Sequence, residues 1–385
     1  MIYLNNAATS YPKPPCVVDA VQACLMGAPV SQFRGGVELR KEDSTTACRR
    51  MLGELLGIED WKRIVFTSGA TESCNQLICG LDYEENKGDS VQILTTQTEH
   101  NSILRPLLNQ PAVKEYGVTV IPCTSTGRIT KEALENSITD VSKVLFINHC
   151  SNVTGQVQDL EMIAEVCHQH GILVIADLSQ SAGCIPVNVD KWKLDGIIFT
   201  GHKSLFGMQG IGGFYLREGI KLKPLKYGGT GRNSAQLTYE MEDYEYEVGT
   251  QNQPGIEALR AGVGFILENG LEKIVEKEQN LMRLLYDGLN GCENVVLYNQ
   301  FSTEHGPVMS FNINGLAPSD VAYILQNVYG ITVRTGLHCA PLIHKAMGTG
   351  AKGTVRVSVS YLTEESDLEA LIDAVKDISG SVQIA

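Results

Sequence analysis

The sequence predicts an α/β fold built on a mostly parallel sheet, followed by a smaller α+β C-terminal unit. Three observations predict it. Short, β-branched apolar runs alternate with longer helical patterns, the rhythm of a parallel sheet covered by helices on both faces. Between two of these runs lies a single amphipathic helix of the length that a parallel crossover requires. After about Pro254 the rhythm changes to long helical stretches with fewer strands.

In chain order the runs are Arg63-Ile64-Val65-Phe66, Val91-Gln92-Ile93-Leu94, Val118-Thr119-Val120-Ile121, Lys143-Val144-Leu145-Phe146-Ile147, Ile172-Leu173-Val174-Ile175 and Gly196-Ile197-Ile198-Phe199. Asp159 to Gly171 reads as the crossover helix, with acidic residues at its start and a glycine at its C-terminal end. Past Pro254, a helix over Leu271 to Leu289 precedes two apolar runs, Pro307-Val308-Met309-Ser310-Phe311 and Thr354-Val355-Arg356-Val357-Ser358, and a closing helix runs from about Thr363 to Ile378. The expected organisation is an N-terminal segment, 1–14, packing with the small domain, a large domain, 15–255, and a small C-terminal domain, 256–385.

Composition narrows the functional classes. At 385 residues with 43% hydrophobic content, the chain can bury a large core. A net charge of −13 would repel a phosphate backbone, and no cluster of Lys and Arg interleaved with aromatics overrides it, so nucleic acid is not an expected partner. The opening residues lack the basic flank and apolar run of a signal peptide, and no uncharged stretch is long enough to span a bilayer, so a soluble cytoplasmic protein is expected. The eleven cysteines are scattered without Cys-x-x-Cys pairs, which fits reduced thiols better than a disulfide framework or a zinc site. No metal is expected.

Ligands of open α/β sheets bind at the carboxyl ends of the strands, and chemistry-bearing residues follow three of the runs. Asp177 comes after the strand ending Ile175-Ala176. Thr200-Gly201-His202-Lys203 follows the strand ending Phe199, one crossover later. A carboxylate there could keep a pyridine nitrogen protonated, and a lysine beside it could form an imine with an aldehyde. Ser68-Gly69-Ala70-Thr71-Glu72 leaves a third strand and enters a helix, where free backbone N–H groups suit a phosphate. Taken singly, Asp177 is as good a turn or cap residue, and the Ser-Gly-Ala-Thr turn is more often a plain helix start. Their order along one sheet edge carries more weight.

Those three segments resemble the class V aminotransferase family of fold-type I pyridoxal 5′-phosphate (PLP) enzymes, and within it the group II cysteine desulfurases and selenocysteine lyases. The similarity extends from Leu4-Asn5-Asn6-Ala7-Ala8 through Thr98-Glu99-His100-Asn101-Ser102, Ser151-Asn152-Val153-Thr154-Gly155 and Glu247-Val248-Gly249-Thr250-Gln251-Asn252 to Arg334-Thr335-Gly336-Leu337-His338-Cys339-Ala340-Pro341. The resemblance implies that Lys203 is the Schiff-base lysine and proton shuttle, that Asp177 pairs with the pyridinium nitrogen, that Gln180 contacts the ring's phenolic oxygen and that His100 stacks on the ring. It assigns Ala70, Thr71, Thr200 and His202 to the phosphate. Thr250 would reach the phosphate from the second subunit of a homodimer. Asn152, itself also a cofactor contact, and Arg356 would hold the substrate carboxylate, and Asn6 would also bind the substrate.

Cys339 separates the subfamilies. In a desulfurase a thiolate attacks the sulfur of bound L-cysteine, releasing L-alanine and leaving a persulfide that passes to a sulfur-acceptor protein. A lone cysteine is most often a small buried hydrophobe. Its place in the matching motif, beside an imidazole expected to favour the thiolate, argues for the nucleophile. Likewise, outside their motifs His100 would read as a structural histidine and Arg356 as a surface ion pair. The chain departs from the group II pattern at Leu337, where a histidine is usual, at Leu178-Ser179, and at Gln251, where proline is common. The alternatives left open are selenocysteine as the substrate, C–S β-lysis of cysteine to pyruvate, and another class V activity such as transamination.

Overall fold

The computed structural model describes residues 1–27, 43–83, 91–229, 235, 237–238, 246–298, 301 and 305–382. In chain order the strands are β1 (Ile2–Tyr3), β2 (Ile64–Thr67), β3 (Gln92–Thr96), β4 (Gly117–Ile121), β5 (Ser142–Asn148), β6 (Leu173–Asp177), β7 (Gly196–Thr200), β8 (Gly212–Leu216), β9 (Val295–Leu297), β10 (Val308–Ile313), β11 (Ile331–Thr332), β12 (Arg334–Gly336) and β13 (Thr354–Ser358).

The large sheet has seven strands in the order β2-β8-β7-β6-β5-β3-β4. All six runs read from the sequence are in it, and all six point the same way. β8 runs antiparallel to both β2 and β7 and is inserted between them. β5 to β7 are nearly continuous apolar runs because both faces are covered. Successive residues alternate between two cores: Leu145, Ala176 and Phe199 pack on one side, while Phe146, Ile175 and Ile198 pack on the other. The crossover helix spans Leu160–Gln169, with the Asp159 carboxylate capping its start by accepting from Met162 N.

The sequence reading overlooked β8 because it begins Gly212-Gly213, residues of low strand propensity. The glycines are there for closeness. A Cβ on Gly213 would come within 2.3 Å of the Val65 carbonyl and 2.5 Å of the Phe199 ring, and one on Gly212 within 2.7 Å of Gly69 Cα.

A second, four-stranded antiparallel sheet, β12-β13-β10-β9, lies in the C-terminal part. Leu281 and Leu285 from the helix Leu271–Leu289, Leu325 from Pro318–Val328, and Leu371 and Val375 from Glu365–Gly380 pack with Phe311 and Val357 into its core. Leu4 joins that core, and β1 pairs in parallel with β11. By contrast, Ile256, Leu259, Val263 and Ile266 of the helix Gln253–Asn269 bury into the large-sheet core. We therefore propose that the division between domains falls near Gly270, where that helix ends, and not at 255/256. Among the described residues no helix is long and apolar enough to cross a membrane.

Candidate active site

The strands β2, β5, β6 and β7 all end at one edge, and in register Asn148 at the end of β5 faces Asp177 at the end of β6. The segments leaving these strands surround a cavity of about 340 Å3 whose walls include Ala70, Thr71, His100, Asn152, Asp177, Gln180, Thr200, His202, Lys203 and Arg356. Ten of the thirteen residues singled out in the sequence thus converge. Three do not line it. Cys339 lies just outside and is half-buried, and Thr250 is exposed on this chain. Asn6 spends its amide on structure: its Nδ2 donates to the Ser358 carbonyl (3.0 Å) and its Oδ1 accepts from Tyr11 N (3.1 Å). Its neighbour Asn5 makes the contact toward the site instead, accepting from Arg356 Nη2 (3.0 Å).

Lys203 is half-buried, with the Asp177 carboxylate acting on its ammonium. Burial lowers its pKa to about 8 against the opposing attraction of Asp177, and the nearby Arg356 and Arg334 lower it further. A lysine poised there is neutral often enough to act as a nucleophile toward an aldehyde. Asp177 Oδ1 accepts from Ser179 N (2.9 Å), fixing the carboxylate where β6 ends. Gln180 Nε2 donates to the Ala7 carbonyl (3.0 Å).

His100 caps the helix Asn101–Asn109. Its Nδ1 accepts from Ser102 N (3.0 Å), so the neutral ring carries its proton on Nε2. Burial, then the positive charge of Lys203, lowers its pKa to about 4. The ring therefore lines the cavity uncharged.

The helix Ala70–Gly80 begins without a side-chain cap, behind Gly69 at φ 150°. Thr71, Thr200 and His202 line the cavity, and uncapped first-turn N–H groups of such a helix suit an anion. Ser179 Oγ, Asn152 Oδ1, His202 Nδ1 and Arg356 Nε are buried without hydrogen-bond partners, and all four belong to residues of the cavity wall. Unpartnered buried polar atoms around one cavity suit a polar ligand. Helix N–H groups suited to an anion, a half-buried lysine and a neighbouring carboxylate together fit PLP.

The cavity wall also holds two arginines, Arg334 and Arg356, paired in register across β12 and β13. Arg356 is fully buried, donating through Nη1 to the Asn152 carbonyl (3.0 Å) and through Nη2 to Asn5. Burial and the neighbouring Arg334 lower its pKa to about 9. Arg334 lines the same cavity and donates through Nη2 to Cys339 Sγ (3.3 Å). The sequence reading quoted Arg334 only as part of a motif and gave it no role. Its signal was the spacing, since β12 and β13 place both guanidinium groups on one cavity.

Leu337 to Ala340 form a type I′ turn, with His338 at φ 50°, Cys339 at φ 61° and Ala340 N donating to the Leu337 carbonyl (2.9 Å). Two adjacent non-glycine residues at positive φ hold strain that the surroundings must offset. They do so by pinning the turn. Asn152 Nδ2 donates to the His338 carbonyl (2.6 Å), Asn101 N donates to the Cys339 carbonyl (2.7 Å), and His338 Nε2 bonds Thr354 Oγ1 (2.9 Å). The sequence expectation that the imidazole before Cys339 favours the thiolate is corrected here. Burial, with Arg356 nearby, lowers the His338 pKa to about 2, so the ring is neutral and faces Thr354. The cation beside the sulfur is Arg334.

Sequence reasoning also passed over Glu99. It is fully buried behind His100, Oε1 accepts from Thr96 Oγ1 (2.7 Å) and Asn148 N (2.9 Å), and burial raises its pKa to about 8. Between its ordinary value and 8 the unfolded chain is ionised while the folded chain keeps the proton, so stability is lost as pH rises through that window. Glu99→Gln removes this dependence. The variant is expected to equal wild type near pH 4 and to exceed it by about 1–3 kcal/mol near pH 8, read from urea melts across pH; parallel curves for the two proteins would contradict the protonated Glu99.

The chain matches the family described as "Aminotransferase class-V" over residues 2–371. It is 30% identical over 386 residues to a probable cysteine desulfurase of Halobacterium salinarum, covering 98% of this chain and 91% of that protein. It is also 30% identical over 389 residues to a cysteine desulfurase of Haloferax volcanii, covering 97% and 88%. Among solved structures, the apo cysteine desulfurase of Thermococcus onnurineus superposes with a TM-score of 0.85 at 29% identity, over 99% of this chain and 95% of that one. A cysteine desulfurase of Escherichia coli gives 0.86 at 26% identity, over 100% and 95%. With a matching sequence from residue 2 to 371 and a matching fold around the lysine, aspartate and histidine described above, the chain belongs to the class V aminotransferase family of PLP-dependent enzymes.

Proposed function

We propose that the protein is a PLP-dependent cysteine desulfurase that moves sulfur from L-cysteine onto Cys339 and releases L-alanine. The observation that carries the reading is the contact between Arg334, a cavity-wall residue, and the Cys339 sulfur on its pinned turn. It supports Cys339 as the nucleophile, since Arg334 belongs to the wall of a cavity that fits PLP. The relatives named cysteine desulfurase support the same reading.

When bound, PLP supplies an electron sink for the substrate carbon next to its amino group. In this assignment Lys203 Nζ would carry protons at that carbon, Asp177 would pair with the ring nitrogen, Gln180 would contact the phenolic oxygen, and His100 would stack on the ring. Ala70, Thr71, Thr200 and His202 hold the phosphate. Arg356 binds the substrate carboxylate with Asn152, which turns the substrate sulfur toward Cys339. The Cys339 thiolate attacks that sulfur, the carbon–sulfur bond breaks, the carbon keeps the electron pair and takes up a proton, and the sulfur stays on Cys339 as a persulfide.

The same reading proposes a cytoplasmic homodimer in which Thr250, exposed here, completes the phosphate pocket of the second subunit, and a sulfur-acceptor protein as partner. The direct test treats the enzyme with limiting L-cysteine, alkylates it and maps added sulfur by mass spectrometry. Extra sulfur on the peptide carrying Cys339 is expected; turnover with no sulfur on that peptide would refute the assignment.

Arg356 gives a graded check. Lysine keeps the charge but loses the two-pronged guanidinium that holds the Asn152 carbonyl and Asn5. Arg356→Lys is expected to raise KM for L-cysteine about tenfold or more, the scale of one charge-assisted hydrogen bond, with the PLP absorbance retained. An unchanged KM would remove Arg356 from the carboxylate site.

A further inference from the structure

We propose that Lys13 is a positioning residue for the cofactor lysine, its ammonium fastening residues 9–13 across the His202–Lys203 peptide so that Lys203 keeps its place in the cavity. The proposal rests on the PLP reading above and adds a residue outside the cavity wall.

The contacts are specific. Lys13 Nζ donates to the His202 carbonyl (3.0 Å) and to Ser10 Oγ (2.7 Å). Ser10 Oγ donates onward to the Lys203 carbonyl (2.8 Å). The His202 carbonyl also accepts from Ser10 N (3.0 Å) and Thr9 Oγ1 (3.0 Å). Within its own stretch of chain, the Lys203 carbonyl takes one backbone bond, from Phe206 N (2.9 Å). The peptide bearing the reactive lysine is therefore gripped largely from the far N-terminal end of the sequence.

Lys13 is an unusual choice for a purely structural tie. It is half-buried, and among the described residues no carboxylate lies within ion-pairing distance of it. Burial lowers its pKa to about 8, so desolvating this charge opposes folding. A neutral side chain would avoid that penalty. What the charge gains is strength at a carbonyl next to Lys203, because charge-assisted hydrogen bonds are about twice as strong as neutral ones. The same charge helps keep the neighbouring imidazole of His202 neutral, and His202 lines the anion end of the cavity. Further along the same segment, the Ala7 carbonyl and Asn5 accept from Gln180 and Arg356, so the segment that Lys13 anchors also contacts two further site residues.

The test compares holoenzyme of wild type, Lys13→Met and Lys13→Arg. Release of PLP after dilution is followed by the visible absorbance of the lysine-bound cofactor, together with kcat, KM for L-cysteine and the melting temperature of the cofactor-free proteins. Lys13→Met is expected to release PLP about tenfold faster and to lower kcat, with KM within about twofold of wild type, and Lys13→Arg to recover most of the loss, because it restores a charged donor. Release from Lys13→Met within twofold of wild type would overturn the proposal. So would equal impairment of the Met and Arg variants accompanied by equal falls in melting temperature, the mark of a packing role alone. If Lys13→Met does not fold, Ser10→Ala, which removes the onward bond to Lys203, is expected to speed release in the same direction, and an unchanged rate there is equally contrary. Failure of the wild-type chain to form the lysine-bound absorbance at all would instead overturn the cofactor reading beneath it.

Discussion

Lys203→Ala is expected to lower turnover of L-cysteine by at least about a thousandfold, since in the proposed mechanism it removes both the covalent anchor for PLP and the group that carries protons at the substrate carbon, each worth orders of magnitude in rate. The measurement is alanine release by enzyme reconstituted with excess PLP, with borohydride trapping to locate the modified lysine. Trapping at any other lysine would contradict the site. A pH dependence follows from the same geometry. Burial lowers the Lys203 pKa to about 8, and only the neutral amine forms an imine, so capture of PLP by the cofactor-free protein should speed up as pH rises through about 8 and then level off.

Cys339→Ala is expected to cost at least about a hundredfold in desulfurization of L-cysteine, the loss of a positioned nucleophile, while the PLP absorbance and KM stay near wild type. The two effects separate because Cys339 lies outside the cavity wall that holds the cofactor. Wild-type turnover by Cys339→Ala would remove it as nucleophile. Selenocysteine adds a discriminating substrate: selenium leaves carbon with less assistance, so a selenocysteine lyase would keep substantial activity on selenocysteine in this variant.

Much of this architecture was legible in the sequence because two-sided burial writes itself as apolar runs. Ile172 to Ile175 and Gly196 to Phe199 could be read as strands because every residue of each must face one core or the other. Asp177 and Lys203 were then placed by a topological rule, the carboxyl edge of the sheet. β8 was hidden by the glycines that let it fit between β2 and β7. The role of Arg334 was hidden because it depends on the register in which the consecutive strands β12 and β13 pair. The influence of His338 was misplaced for a related reason: adjacency in sequence to Cys339 suggested an imidazole that favours the thiolate, whereas the type I′ turn sends the imidazole toward Thr354 and the sulfur toward Arg334. Residues that act through backbone carbonyls, such as Lys13 and Ser10, leave no pattern in sequence at all, since any chain segment presents the carbonyl they hold.

The substitutions at the edge of the motif have visible consequences. Leu337 brings a half-buried apolar side chain where the group II pattern has an imidazole, yet its carbonyl still closes the turn through Ala340 N. The geometry that presents Cys339 therefore does not need that histidine. Serine at position 179 uses its backbone N–H to hold Asp177, a service independent of its side chain.

The claim that joins these observations is that sulfur leaves cysteine by attack of a protein thiol and not by elimination. The stoichiometry of products decides it. Incubated with L-cysteine and a thiol acceptor, the purified holoenzyme should yield L-alanine in step with sulfide; pyruvate and ammonia in place of alanine would contradict the account.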